Sequence, residues 1–200
     1  MRLISSLALL IVLFTLALPI RGDEARVDLL PAPADWRSEL IDMPPPFAPT
    51  LDYEGQLHVK FSPTWRQFDA ADGWTYAFVW RVVPQEVDAA RLESDLETYF
   101  GGLMTAVGAE RYPDKAVPTV AELQAVEPDD PWLQQWRGTV RTWNPFGDGE
   151  PVTLHFEIRE MGCRLSEKPQ QTLLFLVSKA PRTAPVWASS LRGLVAGAQC

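Results

Sequence analysis

Residues 73–83 place an aromatic side chain at every second position of a strand-like run, and this feature constrains the fold most. Trp74, Tyr76, Phe78 and Trp80 would share one face, because successive side chains of a strand alternate between its two faces. A row of four large rings needs something to cover it. We expect it either to be buried beneath a helix or to form a platform for sugar rings or a partner chain.

A helix that could cover this row follows directly in the sequence. From Asp88 to about Val107, apolar residues recur at spacings of three and four, which is typical of an amphipathic helix. A capping box at 119–122 predicts a short helix to about Val126. A C-terminal helix is predicted after Thr183, with Pro185 in its first turn. The strand-like runs are 57–61, 73–83, 134–143, 151–160 and 172–178.

These elements predict an α+β fold: a mostly antiparallel sheet of about five strands with one long helix, one short helix and a C-terminal helix packed on it. The order of elements lacks the regular β-α-β alternation of a parallel sheet. The predicted domain covers 57–200. Residues 23–56 form a proline-rich extended lead-in, because their six prolines forbid a helix.

Residues 1–22 are predicted to be a secretory signal peptide. Arg2 precedes an apolar run from Leu7 to Leu18, and Pro19 ends it, which is the three-part pattern of such signals. The run is shorter than the ~20 apolar residues of a membrane-spanning helix, although an uncleaved anchor from Leu3 to Ile20 is the alternative. The mature protein is therefore expected to be secreted or periplasmic.

The charge of the chain excludes two classes of partner. It has 18 basic and 26 acidic residues, and loss of Arg2 and Arg21 with the signal peptide gives a net charge of −10. Such a surface repels phosphate backbones and anionic lipids. We expect no nucleic-acid partner and no membrane contact after cleavage, which leaves a protein or small-molecule partner of unknown identity.

Two cysteines, Cys163 and Cys200, are predicted to form one disulfide, because exported proteins meet an oxidising compartment. The bond would close a loop of about 37 residues, which chain-entropy arguments value at roughly 4 kcal/mol. Two free thiols or an intermolecular bridge are the alternatives. A catalytic cysteine is not expected, since neither residue has a neighbouring histidine or a C-x-x-C partner.

The two histidines of the chain define a candidate ligand-binding site. In 57–61 the apolar residues are at odd positions, so His58 and Lys60 point to the opposite face. In 152–158 the apolar positions are even, so His155, Glu157 and Arg159 also point away from the core. If these strands are neighbours, the histidines lie within about 10 Å and can share a ligand. Otherwise the five residues fill a solvated outer face.

No recognised motif assigns a reaction to this chain. It contains no G-x-S-x-G elbow, no H-E-x-x-H and no Gly-rich phosphate loop, so no catalytic residue, metal site or cofactor is predicted. The favoured hypothesis is a non-catalytic extracytoplasmic domain that binds a protein or a small ligand. The alternatives are an extracellular hydrolase that uses paired carboxylates or His58 and His155, and a structural subunit of a cell-envelope assembly.

Several segments combine aromatic and proline positions over a long span: FAPTL at 47–51, Gly55, FSP at 61–63, WTYAFVW at 74–80 and YFGGL at 99–103. Together they resemble a family of secreted bacterial hypothetical proteins, and the resemblance runs from about Trp36 to the C-terminus. It implies an exported, single-domain bacterial protein without assigning an activity, a ligand or a functional residue.

Reduction of the native protein tests the predicted disulfide. We expect no titratable thiol before reduction, and a lower melting temperature after it, because the unfolded chain regains the freedom that the bond removes. Two titratable thiols in the unreduced, folded protein would show that the bond is absent.

Overall fold

The structure is a computed structural model that describes residues 28–129, 131–165 and 168–195. Seven of its strands form one antiparallel sheet in the order β1-β2-β3-β7-β6-β5-β4. Two meanders, β1 to β3 and β4 to β7, therefore meet where β3 pairs with β7. The strands are β1 Arg37–Met43, β2 Gly55–Phe61, β3 Tyr76–Val82, β4 Val120–Val126, β5 Gln134–Trp143, β6 Pro151–Leu165 and β7 Lys168–Ser178.

The helical elements are few. Helix α1, Ala89–Gly108, connects β3 to the edge strand β4 and contacts both β4 and β5. After β7, a five-residue π-helical turn, Trp187–Leu191, continues into the four-residue α2, Arg192–Val195. The predicted α+β fold with about five strands is therefore wrong, because the described chain forms one seven-stranded antiparallel sheet in which strand residues outnumber helical residues about two to one.

The two strands that the sequence analysis did not predict are β4 and β1. The capping-box segment, predicted as a short helix, is strand β4: Ala121 and Leu123 are buried between exposed neighbours, and the strand pairs with β5 along its length. The second is β1, which lies inside the predicted proline-rich lead-in and pairs with β2. In both segments, long-range pairing overrides a local signal.

Helix α1 covers most of the aromatic row of β3. It begins after Asp88, whose Oδ1 accepts a hydrogen bond from the Arg91 backbone N–H at 2.8 Å. Phe78 and Trp80 are fully buried beneath the helix and take part in the main core. Phe78 stacks against Tyr99 of α1, with ring centroids 5.4 Å apart and an interplanar angle of 8°.

The helix also protects an edge of the sheet. The Oε1 atom of Glu93 accepts a hydrogen bond from the Leu123 backbone N–H at 2.6 Å, and that of Glu97 accepts one from the Ala121 N–H at 3.1 Å. These two donors belong to β4, the last strand of the sheet, and would otherwise be available to another chain. One turn of α1 thus satisfies two backbone donors of this edge strand.

The opposite face of the sheet is covered as well. Trp187, Leu191 and Leu194 pack there with Leu29 and Leu30, and all five are nearly or fully buried. The strand residues beneath them are Ala77, Val79, Leu174 and Leu176. The central strands are therefore buried on both faces.

The predicted signal peptide, 1–22, lies outside the described residues, and so does Cys200. Of the helices that the structure describes, none has the length and apolar character to cross a membrane.

Adjacent glycines in α1 give a matched test of how closely the helix packs. A Cβ added at Gly102 would lie 1.9 Å from the carbonyl oxygen of Phe47, whereas one at Gly101 would meet nothing closer than Thr119 Oγ1 at 3.9 Å. We expect Gly102→Ala to destabilise the protein by about 1–3 kcal/mol through overpacking. Gly101→Ala should stabilise it by up to about 1 kcal/mol through helix propensity. Urea unfolding measures both, and equal effects would contradict this packing.

Candidate ligand-binding site

The predicted histidine site does not assemble. His58 and His155 share a face of the sheet, but strands β3 and β7 lie between β2 and β6. Three interstrand steps of about 4.8 Å already separate the two strands by roughly 14 Å. Through Val79 and Leu174, the register places His58 in line with Arg159, four residues along β6 from His155. The hypothesis that the histidines lie within about 10 Å is wrong.

Four of the five predicted residues do not lie on a solvated face either. His58, Lys60, Glu157 and Arg159 are between 2% and 7% exposed, on the face where the residues around Trp187 and Leu29–Leu30 pack. Alternation along the strands correctly gave their shared face. It could not show that distant parts of the chain cover that face.

These buried charges are paired. The Nζ of Lys60 lies 2.7 Å from Asp28 Oδ2. Arg159 donates to Glu157 Oε1 from Nη2 at 2.6 Å and from Nε at 3.0 Å. Its guanidinium also lies 5.7 Å from the ring centroid of Trp132. Both ion pairs therefore have a structural role on the face of the sheet opposite α1.

His155 stands apart from these pairs. It is half-buried and lines an open cavity of about 560 Å³ with Arg137 and Arg182. Burial, and then the charge of Arg182, lower the pKa of His155, so its imidazole is neutral at neutral pH.

Cys163 lies on β6, where its sulfur is 3.2 Å from the hydroxyl oxygen of Thr172 on β7. It is 2% exposed. Because Cys200 lies outside the described residues, the disulfide between the two stays a prediction.

An aromatic-lined cavity lies at the Trp74 end of the aromatic row, on the face that α1 covers. It has a volume of about 150 Å³ and lies between strands β1 to β3, the loop 62–75 and the second half of α1. Glu39 and Arg66 are its exposed charged residues. Its aromatic lining consists of Phe47, Phe61, Trp65, Trp74, Tyr76, Tyr99 and Phe146. We call it the aromatic cavity.

The rings that line the aromatic cavity hold one another in place. Phe146 makes edge-to-face contacts with Trp65 and Trp74, at centroid distances of 5.6 and 5.5 Å. Phe61 packs on Trp65 at 4.6 Å and on Tyr76 at 5.8 Å. The walls are therefore pre-formed, and their edges and faces are those that favour another ring.

Trp74 has two unusual properties. Its φ is +57°, the left-handed region that side chains other than Gly, Asn and Asp rarely adopt. Its buried Nε1 has no hydrogen-bond partner among the described residues. The backbone N–H of Trp74 donates to the carbonyl of Trp65 at 3.0 Å, which closes the loop and holds both indoles at the cavity. Local strain of this kind is often retained where a side chain must be positioned for function.

Both tyrosines of the cavity are neutral under physiological conditions. Burial raises the pKa of Tyr76, and the neighbouring Tyr99 raises it further. Burial, and then the carboxylate of Glu39, raise the pKa of Tyr99. Each hydroxyl therefore keeps its proton and can both donate and accept a hydrogen bond.

The aromatic row of β3 thus serves both purposes that the sequence suggested. All four rings belong to the main core, and two of them, Tyr76 and Trp74, which precedes β3, also line the cavity. Sequence reasoning missed Trp65 and Phe146, which lie in loops far apart in the chain. The proline and aromatic cluster at 61–65 was the one local signal for them.

In the described parts of the chain, no group of three or more metal-ligating side chains could hold a metal ion. Comparison of the sequence with protein-family models found no match, and neither did a search of curated proteins.

Removing Glu157 tests whether the predicted site residues are structural. We expect Glu157→Gln to cost about 3–5 kcal/mol, because it leaves Arg159 buried without its closest carboxylate. The control is Glu122→Gln, which breaks an ion pair with Arg141 in which both side chains are more than half exposed. This change should cost less than about 1 kcal/mol. Similar unfolding free energies for the two variants would contradict the structural role.

Proposed function

We propose that this protein is a non-catalytic extracytoplasmic domain that binds a small ligand through one neutral aromatic ring. The ring enters the aromatic cavity. The observation that carries the proposal is a pre-formed, ring-lined cavity with an unpartnered buried donor, Trp74 Nε1, in its wall.

The size of the cavity supports a single ring. A volume of about 150 Å³ is comparable with engineered apolar cavities that hold one benzene molecule. The rest of a larger ligand would extend past Glu39 and Arg66 into solvent. Because these two residues carry opposite charges, the mouth favours neither an anionic nor a cationic ring.

The small number of polar groups favours an aromatic ring over a sugar. A hexose carries several hydroxyls, and each hydroxyl buried without a partner costs about 1–3 kcal/mol. The polar groups carried by the lining aromatic residues are the Trp74 indole N–H and the hydroxyls of Tyr76 and Tyr99. An aromatic ring with one carbonyl or hydroxyl group would use these donors and leave few groups unpaired.

The histidine form of the hydrolase alternative and the envelope-subunit alternative lose support. A hydrolase that uses His58 and His155 would need them together, and two strands lie between theirs. An envelope subunit that uses the lead-in as an arm would need that segment to be free. In its described part, β1 pairs with β2, and Ala48, Leu51 and Tyr53 are buried in the domain's own core.

A pair of isosteric probes tests the proposed function. Acetophenone and ethylbenzene have similar shapes, but only acetophenone carries an acceptor for the Trp74 N–H. By calorimetric titration, we expect acetophenone to bind about 2- to 10-fold more tightly, which corresponds to one buried hydrogen bond. Glucose should not bind measurably.

Two variants test whether the Trp74 N–H causes the preference for acetophenone over ethylbenzene. Trp74→Phe should abolish the preference for acetophenone, because phenylalanine has no N–H. Trp143→Phe is the control: it shortens a buried tryptophan of the core that does not line the cavity, and it should retain the preference. Equal binding of both probes to the unchanged protein, or a preference that survives in Trp74→Phe, would contradict the proposal.

A further inference from the structure

Another cavity lies beside the start of α1, and its walls are polar. It has a volume of about 540 Å³ and lies between the loop that leads into α1, the first turn of the helix, and strands β5 and β6. Its charged residues are Glu86, Asp88, Arg91 and Glu160. None of these residues lines the aromatic cavity.

Glu160 is the residue that requires an explanation. It is 8% exposed, and its buried Oε2 has no hydrogen-bond partner among the described residues. Its other oxygen, Oε1, accepts a hydrogen bond from Gln171 Nε2 at 2.8 Å. A buried carboxylate oxygen without a partner destabilises a fold, so its presence at a cavity wall indicates a partner from outside the chain.

The surrounding hydrogen bonds fix the position of this carboxylate. Gln171 is itself held by the backbone of Gln85, donating to its carbonyl at 2.9 Å and accepting from its N–H at 3.2 Å. The Gln85 side chain accepts from Arg91 Nη2 at 3.1 Å. Since Glu160 is already oriented, a ligand would lose little binding free energy in ordering it.

The charges of the cavity favour a cation. Three carboxylates face one guanidinium there, and Arg91 is already paired with Asp95, whose Oδ2 lies 3.2 Å from its Nε. Tyr53 donates to the same Oδ2 at 2.6 Å and completes the network. The first turn of α1 therefore carries no unbalanced positive side chain toward the cavity.

The one unpartnered oxygen, Oε2, decides between two kinds of cation. A guanidinium binds a carboxylate best through two parallel hydrogen bonds, which need both oxygens, but Gln171 occupies Oε1. A primary ammonium is a compact point charge that can pair with a single oxygen through one of its three N–H donors. We propose that this cavity binds a small molecule that bears a primary ammonium group, with Glu160 as its ion-pair partner. The site is separate from the aromatic cavity and does not depend on its function.

Glucosamine and N-acetylglucosamine are matched probes, because acetylation removes the positive charge and retains the ring. In slightly acidic buffer, where the amine is protonated, NMR titration should detect glucosamine binding and no binding of N-acetylglucosamine. Glu160→Gln should weaken glucosamine binding at least about tenfold, the effect of losing one charge-assisted hydrogen bond. The melting temperature of the Glu160→Gln variant should equal or exceed that of the unchanged protein, because the substitution removes an unpartnered buried charge.

The control variant is Glu122→Gln, which removes an exposed carboxylate on β4 and should leave glucosamine affinity unchanged. If Glu160→Gln does not fold, the unchanged protein still decides the question. The side-chain carboxyl ¹³C resonance of Glu160 should shift with glucosamine and not with N-acetylglucosamine. Shifts with both probes, shifts with neither, or undiminished affinity in a folded Glu160→Gln protein would overturn the proposal.

Discussion

A stack of three aromatic rings joins the two halves of the sheet to the helix that covers it. Phe78 of β3 and Phe175 of β7 are directly paired, and their rings lie nearly parallel with centroids 4.4 Å apart. Tyr99 of α1 also stacks on Phe78, at 5.4 Å and 8°. The stack lies where the two meanders meet, so it fixes the register of the sheet and the position of the helix together.

This ring stack positions the other parts of the helix relative to the sheet. With α1 held over β3 and β7, the part of the helix before Tyr99 reaches the far edge of the sheet, where Glu93 and Glu97 accept hydrogen bonds from the backbone of β4. Toward the other end, Leu103 and the loop rings enclose the aromatic cavity beside Tyr99. On the opposite face, the buried charges of β2 and β6 are tolerated because they are paired. Core and cavity are thus parts of one packed layer.

The sequence predicted those helices and strands whose hydrophobic pattern lies within the segment itself. The apolar spacing of 88–107 located α1, and strand-like alternation located β5 at 134–143. β4 was misread because Thr119 and Glu122 match a capping box, whereas pairing with β5 is a property of distant residues. The histidine site failed for the same reason. Alternation fixes the face on which His58 and His155 lie, but strand order, which the sequence does not display, decides their distance.

The central claim is that one aromatic row is divided between a closed core and an open cavity. The most direct measurement is ¹⁹F NMR of the protein labelled with 5-fluorotryptophan, titrated with acetophenone. The resonances of Trp65 and Trp74, which line the cavity, should move with the probe. Those of Trp80 and Trp136, which are at most 1% exposed in the core, should not. Equal movement of all four resonances, or none, would contradict the division of the row.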